Sequence, residues 1–154
     1  GDKVSCVTAS SPTHTHQFGN TSSGVKQRND TRTIHIINAA TVRQVSEAVG
    51  IPLNPERFRP NVVIDGMDPW EEFKCVGGTL QGEEVVFDVI ARTVRCEGVS
   101  VDPYDLGRDS LDVPKLLARH FPEHGPYLGV YAVVREAGTL KVGERLKSLR
   151  GEDY

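Results

Sequence analysis

The stretch from Val85 to Cys96 contains neither glycine nor proline and is rich in β-branched side chains. Residues of that kind fit a pleated, half-buried surface, so the run reads as a strand, and it is the longest β signal in the chain. A strand of this kind needs neighbours, and the sequence offers several. Thr33–Asn38, Val62–Ile64, Thr79–Gln81, Tyr127–Val134 and Thr139–Val142 are short β-rich runs bounded by Gly, Pro, Asn or Asp. Val4, Cys6 and Thr8 alternate like one further short strand.

Helical periodicity is confined to two places. Val42, Val45 and Val49 fall on one face, with Thr41 and Gln44 spaced as a capping box and Gly50 and Pro52 as the stop, which predicts a helix over 41–49. Asp112 and Pro114 open a second short helix near 113–120. Many short strands with two short helices predict a mainly β fold, a closed or partly closed β-barrel. The chain's 154 residues suit one such domain. We place it at 31–147, between a polar, partly flexible N-terminal arm (1–30) and a flexible tail (148–154).

Charge and cysteine usage narrow the function. A net charge of −3 and a pI near 6.0 argue against nucleic acid as a partner. No apolar run approaches the ~20 residues a spanning helix requires, so no membrane role is expected. Cys6, Cys75 and Cys96 are odd in number and widely spaced, which fits a reducing, cytoplasmic setting better than a disulfide framework. The chain begins at Gly1 and Met67 is its only methionine, so a trimmed or longer parent chain is expected.

Three clusters can carry chemistry. In an extended Arg57-x-Arg59-x-Asn61 segment, with Pro60 pushing Arg59 out of the α region, alternate side chains share a face. Two guanidinium forks and an amide on one edge suit a phosphate or another planar anion. The commoner outcome on pattern alone is a pair of solvated arginines. Cys96 ends the long strand beside Arg95, with Arg92 four residues back, and nearby positive charge lowers a thiol pKa. Thiolates are soft ligands for transition metals. A buried, inert cysteine is the slightly commoner alternative. His120 and His124 resemble half a zinc site, but Cys75 and Cys96 are too far apart and Pro122 interrupts the helix face. His35, inside an apolar strand, reads as a satisfied core residue, with lining a site as the less common alternative. No Walker loop, G-x-G-x-x-G, G-x-S-x-G or H-E-x-x-H motif is present.

Four segments together resemble the MOSC (molybdenum cofactor sulfurase C-terminal) domain family. They are Ile34–Thr41 (IHIINAAT), Arg57–Gly66 (RFRPNVVIDG), Arg95–Pro103 (RCEGVSVDP), and Gly129-Val130-Tyr131 with Gly138–Gly143 (GTLKVG). Their order and spacing make the match specific, and it covers about three-quarters of the chain. The subgroup it most resembles contains the mitochondrial amidoxime reducing component and its bacterial relatives.

The resemblance implies a MOSC-type β-barrel and a molybdenum-pterin cofactor, with Cys96 as catalytic residue and molybdenum ligand. Arg59 and Asn61, helped by Arg57, Arg92 and Arg95, would then contact the pterin and its phosphate. It further implies a small-molecule N-hydroxylated substrate, an electron-transfer partner protein, and the family's association with pyridoxal phosphate. A molybdenum-dependent oxidoreductase is the activity that follows. Two other readings remain open at this point: a sulfur transferase carrying a Cys96 persulfide, and a cofactor-free barrel used as a binding module. The chain departs from the family in two places. Val94 stands where relatives carry a polar side chain. Only Lys3, Lys26 and Arg28 occupy the arm where relatives carry a basic, phosphate-holding region, which weakens cofactor retention by this stretch alone.

Overall fold

The computed structural model describes residues 3–9, 15–18, 33–95 and 113–149. Within them the strands are β1 (Lys3–Ala9), β2 (Thr15–Phe18), β3 (Ile34–Asn38), β4 (Val62–Asp65), β5 (Thr79–Gln81), β6 (Val86–Val94), β7 (Tyr127–Glu136), β8 (Gly138–Lys141) and β9 (Arg145–Leu149). Seven of them close a barrel in the order β1-β4-β3-β7-β6-β5-β9, and β1 completes the circuit by pairing with both β4 and β9. Closure leaves no unpaired sheet edge. β2 and β8 form a separate antiparallel pair.

The long run foreseen at 85–96 becomes β6, and it zips antiparallel along β7 with register shifts between Val86/Phe87, Val89/Ala91 and Arg92/Val94. Such bulges bend a strand and sharpen its twist, as a small barrel requires. β3 and β4 are parallel, with Ile37 opposite Val63. A parallel pair needs a crossover. Helix α1 (Ala39–Val49) and a single 3-10 turn at Pro55–Phe58 supply it. Helix α2 (Val113–His120) packs against α1.

Four details differ from the sequence reading. Helix α1 starts two residues earlier, because the side chain of Asn38 caps it by accepting from the Ala40 amide, 3.0 Å away. Thr41 is therefore not the cap; its hydroxyl is used elsewhere. Thr15–Phe18, read as part of a loop-like arm, is a strand paired with β8. β9 was not foreseen, and it carries the barrel through Leu149, two residues past the boundary drawn at 147, with Leu146 and Ser148 fully buried. Arg59 is not extended but left-handed, which alters the site described below.

The core is continuous. Ile36, Ile64, Leu80, Phe87, Leu128 and Leu146 are each at most 1% exposed and belong to one apolar cluster. Each such side chain stabilises the fold by roughly 1.5–3 kcal/mol relative to exposure. No helix among the described residues is long and apolar enough to cross a membrane.

Candidate functional site

The Arg57–Asn61 segment begins with a cap. Asn54 accepts from the Glu56 amide at 2.9 Å, Pro55 takes the first position, and one 3-10 turn follows. That turn closes when Arg59, at φ 54° and ψ 52°, donates its amide to the Glu56 carbonyl at 3.0 Å. The pre-proline rule predicts an extended Arg59; the turn's left-handed cap wins instead. The alternation expected for Arg57, Arg59 and Asn61 is consequently lost. Arg57 is buried at 2% exposure, whereas Arg59 and Asn61 are exposed. Asn61 is engaged with strand β3: its side-chain oxygen accepts from the His35 amide and its own amide donates to the His35 carbonyl, both at 2.8 Å.

Arg95 comes to the same place from the end of β6, separated from β3 by β7 alone. Its amide donates to the Pro126 carbonyl at 2.8 Å, which continues the β6–β7 ladder. Its guanidinium donates to the Phe58 carbonyl at 3.2 Å and to Nε2 of His35, and lies 5.7 Å from the Phe58 ring centre. Arg95 is itself 6% exposed. Two residues earlier, the Thr93 hydroxyl is buried and has no hydrogen-bond partner among the described residues. Cys96, the next residue after Arg95, lies outside the described residues, as does the Asp102-Pro103 segment.

His35 is the meeting point that sequence reasoning did not single out. Its ring also lies 5.4 Å from that of Tyr131. Burial, chiefly, and the positive charge of Arg95 together lower its pKa from 6.5 to about 4, against a hydrogen bond to the Arg59 backbone that works the other way. The imidazole is therefore neutral at physiological pH. A depressed folded-state pKa means that the unfolded chain binds more protons between pH 6.5 and about 4. Stability must then fall as pH drops through that window, by roughly 3 kcal/mol from this residue. Urea midpoints measured from pH 7 to pH 4 should show this extra acid sensitivity against a His35→Gln variant. Parallel pH profiles of the two proteins would contradict it.

Arg92 is placed differently from the other expected site residues. It is exposed, and its guanidinium carbon sits 4.4 Å above the Phe73 ring. Phe73 belongs to an aromatic group in which Trp70 stacks on His124 at 4.3 Å and 16°, and also packs against Phe121 at 5.0 Å. Burial, chiefly, lowers the His124 pKa. His120 is exposed, with its ring 6.5 Å from that of Phe121, and among the described residues the two histidines belong to no cluster of metal-ligating side chains.

A second residue overlooked in the sequence is Glu72. It lies in the acidic, aromatic stretch 67–74, yet it is 1% exposed. Its carboxyl accepts from Asn38 Nδ2 at 2.9 Å, from the Thr41 hydroxyl at 2.9 and 3.0 Å, and from the Gly129 amide. Burial, the largest influence, raises its pKa. A cavity of about 350 Å³ opens beside α1 between Val42, Ser46 and Leu53, and none of the expected site residues lines it.

The cluster around His35 therefore offers donors that suit an oxyanion. Guanidinium groups only donate, and in a fork that matches phosphate geometry. The exposed Arg59 side chain adds donor capacity beside them. This donor set fits a phosphorylated, polar cofactor.

Comparison with known proteins gives a consistent picture. A model of the MOSC domain matches residues 13–147. The mitochondrial amidoxime reducing component 2 of Rattus norvegicus is 28% identical over 129 residues, 75% of this chain and 36% of that protein, so the chain spans about a third of the relative's length. Among solved structures, the YuaD protein from Bacillus subtilis superimposes with a TM-score of 0.63 at 11% identity, covering 96% of each chain. YiiM from Geobacillus stearothermophilus does so with a TM-score of 0.57 at 20% identity, covering 76% of this chain and 54% of that one. YiiM from Escherichia coli gives 0.62 at 11% identity, covering 99% and 72%. At these identities the structures attest to the barrel fold.

Proposed function

The chain belongs to the MOSC domain family, and from that membership we propose that it binds a molybdenum-pterin cofactor as the cofactor domain of a reductase for N-hydroxylated compounds. One observation carries this reading: Arg59, Asn61 and Arg95, from segments far apart in sequence, all engage His35. Two of the four segments that carry the family resemblance thus converge on a third, at a donor-rich edge.

In this reading Arg59 and Arg95 hold the phosphate of the pterin, and the amide of Asn61 keeps the edge in register with β3. Arg57, buried behind it, adds positive charge. Cys96 supplies a thiolate ligand to molybdenum. Arg92, held over Phe73, contributes long-range charge rather than direct contact. When bound, the cofactor supplies the two-electron chemistry that turns an N–OH group, two electrons and two protons into N–H and water. A separate redox partner protein delivers the electrons.

The test is elemental. Protein purified under reducing, oxygen-free conditions should contain molybdenum, and Cys96→Ser should lose essentially all of it while keeping its unfolding midpoint. Sulfane sulfur on Cys96 without metal would replace this reading with sulfur transfer. Molybdenum retained in full by Cys96→Ser would remove Cys96 from the metal site.

A further inference from the structure

We propose that His35 is a positioning residue, a neutral imidazole that clamps the backbone of Arg59 and the guanidinium of Arg95 into one anion-binding edge. The proposal rests on the reading above, that this edge faces a cofactor phosphate, and it names the residue that builds the edge.

The hydrogen-bond roles follow from donor and acceptor chemistry. Arginine has no acceptor, so the contact between Arg95 and Nε2 requires a bare, unprotonated Nε2. The ring proton of the neutral imidazole must then sit on Nδ1, where it serves the Arg59 carbonyl. One ring thereby fixes an acceptor for Arg95 and a donor for Arg59. Arg95 in turn bonds the carbonyl of Phe58, the residue before Arg59, which closes the loop of contacts.

The ring is itself held from several directions. Asn61 pairs with the His35 backbone on both its amide and its carbonyl. The β3–β7 register sets His35 opposite Tyr131, whose ring packs against it. Gly129 leaves room beside it: a Cβ there would stand 3.3 Å from Nε2. Arg59 needs such support, since a left-handed conformation is uncommon outside glycine and is kept only where the surroundings impose it. A histidine buried merely to fill space has no reason to join three segments that the chain separates by 26 and 60 residues.

The test compares wild type, His35→Phe and His35→Gln. Phenylalanine keeps a ring and removes both polar roles. Glutamine restores an amide oxygen near the position of Nε2 and so keeps the acceptor for Arg95. In the unliganded wild type, imidazole 15N shifts should report the Nδ1–H tautomer; the Nε2–H tautomer would overturn the proposal. His35→Phe should speed solvent exchange of the Arg95 side-chain protons at least about ten-fold, and unchanged exchange overturns it. Inorganic phosphate, titrated by NMR, should bind His35→Phe at least about ten-fold more weakly than wild type, with His35→Gln within about three-fold of wild type. Glutamine as weak as phenylalanine, at an unchanged unfolding midpoint, would reduce His35 to packing. Wild type with the expected tautomer and ordered Arg95 but no phosphate shift would sink the cofactor reading and leave the clamp standing.

Discussion

Replacing Glu72 with alanine is expected to destabilise the protein by about 3–5 kcal/mol, a large part of what a domain of this size has. The cost arises from what stays behind. Thr41 loses the acceptor of its hydroxyl proton, although its oxygen still accepts from the Trp70 amide at 2.8 Å. Asn38 keeps only the Asp68 carbonyl at 2.9 Å for its side-chain amide. The Gly129 amide, on a different strand, loses its carboxyl as well. An unmet buried donor costs roughly 1–3 kcal/mol, and the vacated volume adds a cavity term. Because Asn38 caps α1 and Thr41 lies in its first turn, the loss falls where the helix joins the barrel. The single tryptophan, Trp70, is buried two residues away and should report the transition by fluorescence. A urea midpoint for Glu72→Ala within about 1 kcal/mol of wild type would show that the network is not structural.

The pH dependence separates charge from shape. Burial raises the folded-state pKa of Glu72 above its ordinary 4.5. The native state therefore holds a proton that the unfolded state has already released. Its contribution is fully present below pH 4.5 and declines as pH rises through the folded value. Glu72→Gln keeps the shape without the titration. Its deficit relative to wild type should be greatest at low pH and shrink on going up.

Much of the barrel was legible because β-branched runs and helix stops are local signals. β6 was read to within two residues of its ends, α2 matched its expected span, and Gly50 ends α1 in the left-handed conformation its position predicts. β9 escaped because its exposed positions carry Arg145 and Lys147 and one of its buried ones is Ser148, so only Leu146 marks the inward face early in the run. Glu72 escaped for a similar reason: charged residues are expected outside, and nothing next to it in sequence announces Asn38 or Thr41 as partners. In the site, local rules misplaced Arg59 because the demand of a 3-10 cap outweighed the preference before proline. His35 looked like a core residue, and it is half-buried. Its hydrogen bonds depend on chain closure over long separations, and no periodicity encodes those. The resemblance pointed to Arg59, Asn61, Arg95 and Cys96, and the first three do meet at one residue, His35.

Gly129→Ala is expected to cost about 2–4 kcal/mol, because it combines a backbone cost with a steric one. Gly129 has φ +85°, so a side chain brings a backbone cost of about 1 kcal/mol wherever it points. Space adds the rest. A Cβ would lie 2.6 Å from Ile37 Cδ1 and 2.9 Å from the Ile36 carbonyl oxygen. The Ile37 side chain can rotate away, but the Ile36 carbonyl cannot, because Ile36 is paired with Val62 on one side and Val130 on the other. Overpacking against such an atom costs about 1–3 kcal/mol. Gly143 is the control: its φ is +86°, but nothing lies within 4 Å of its Cβ position, so Gly143→Ala should show the backbone cost alone. Equal urea midpoints for the two variants would mean that β7 and β3 can part at no cost. A larger loss at 129 means that their close approach is rigid. That rigidity has a second consequence, since Gly129 also gives its amide to Glu72 and room to the ring of His35. The same substitution should therefore disturb the imidazole 15N signals of His35, whereas Gly143→Ala leaves them unchanged. The close approach of β7 to β3 and the proposed anion-binding edge would then be linked through one residue that has no side chain.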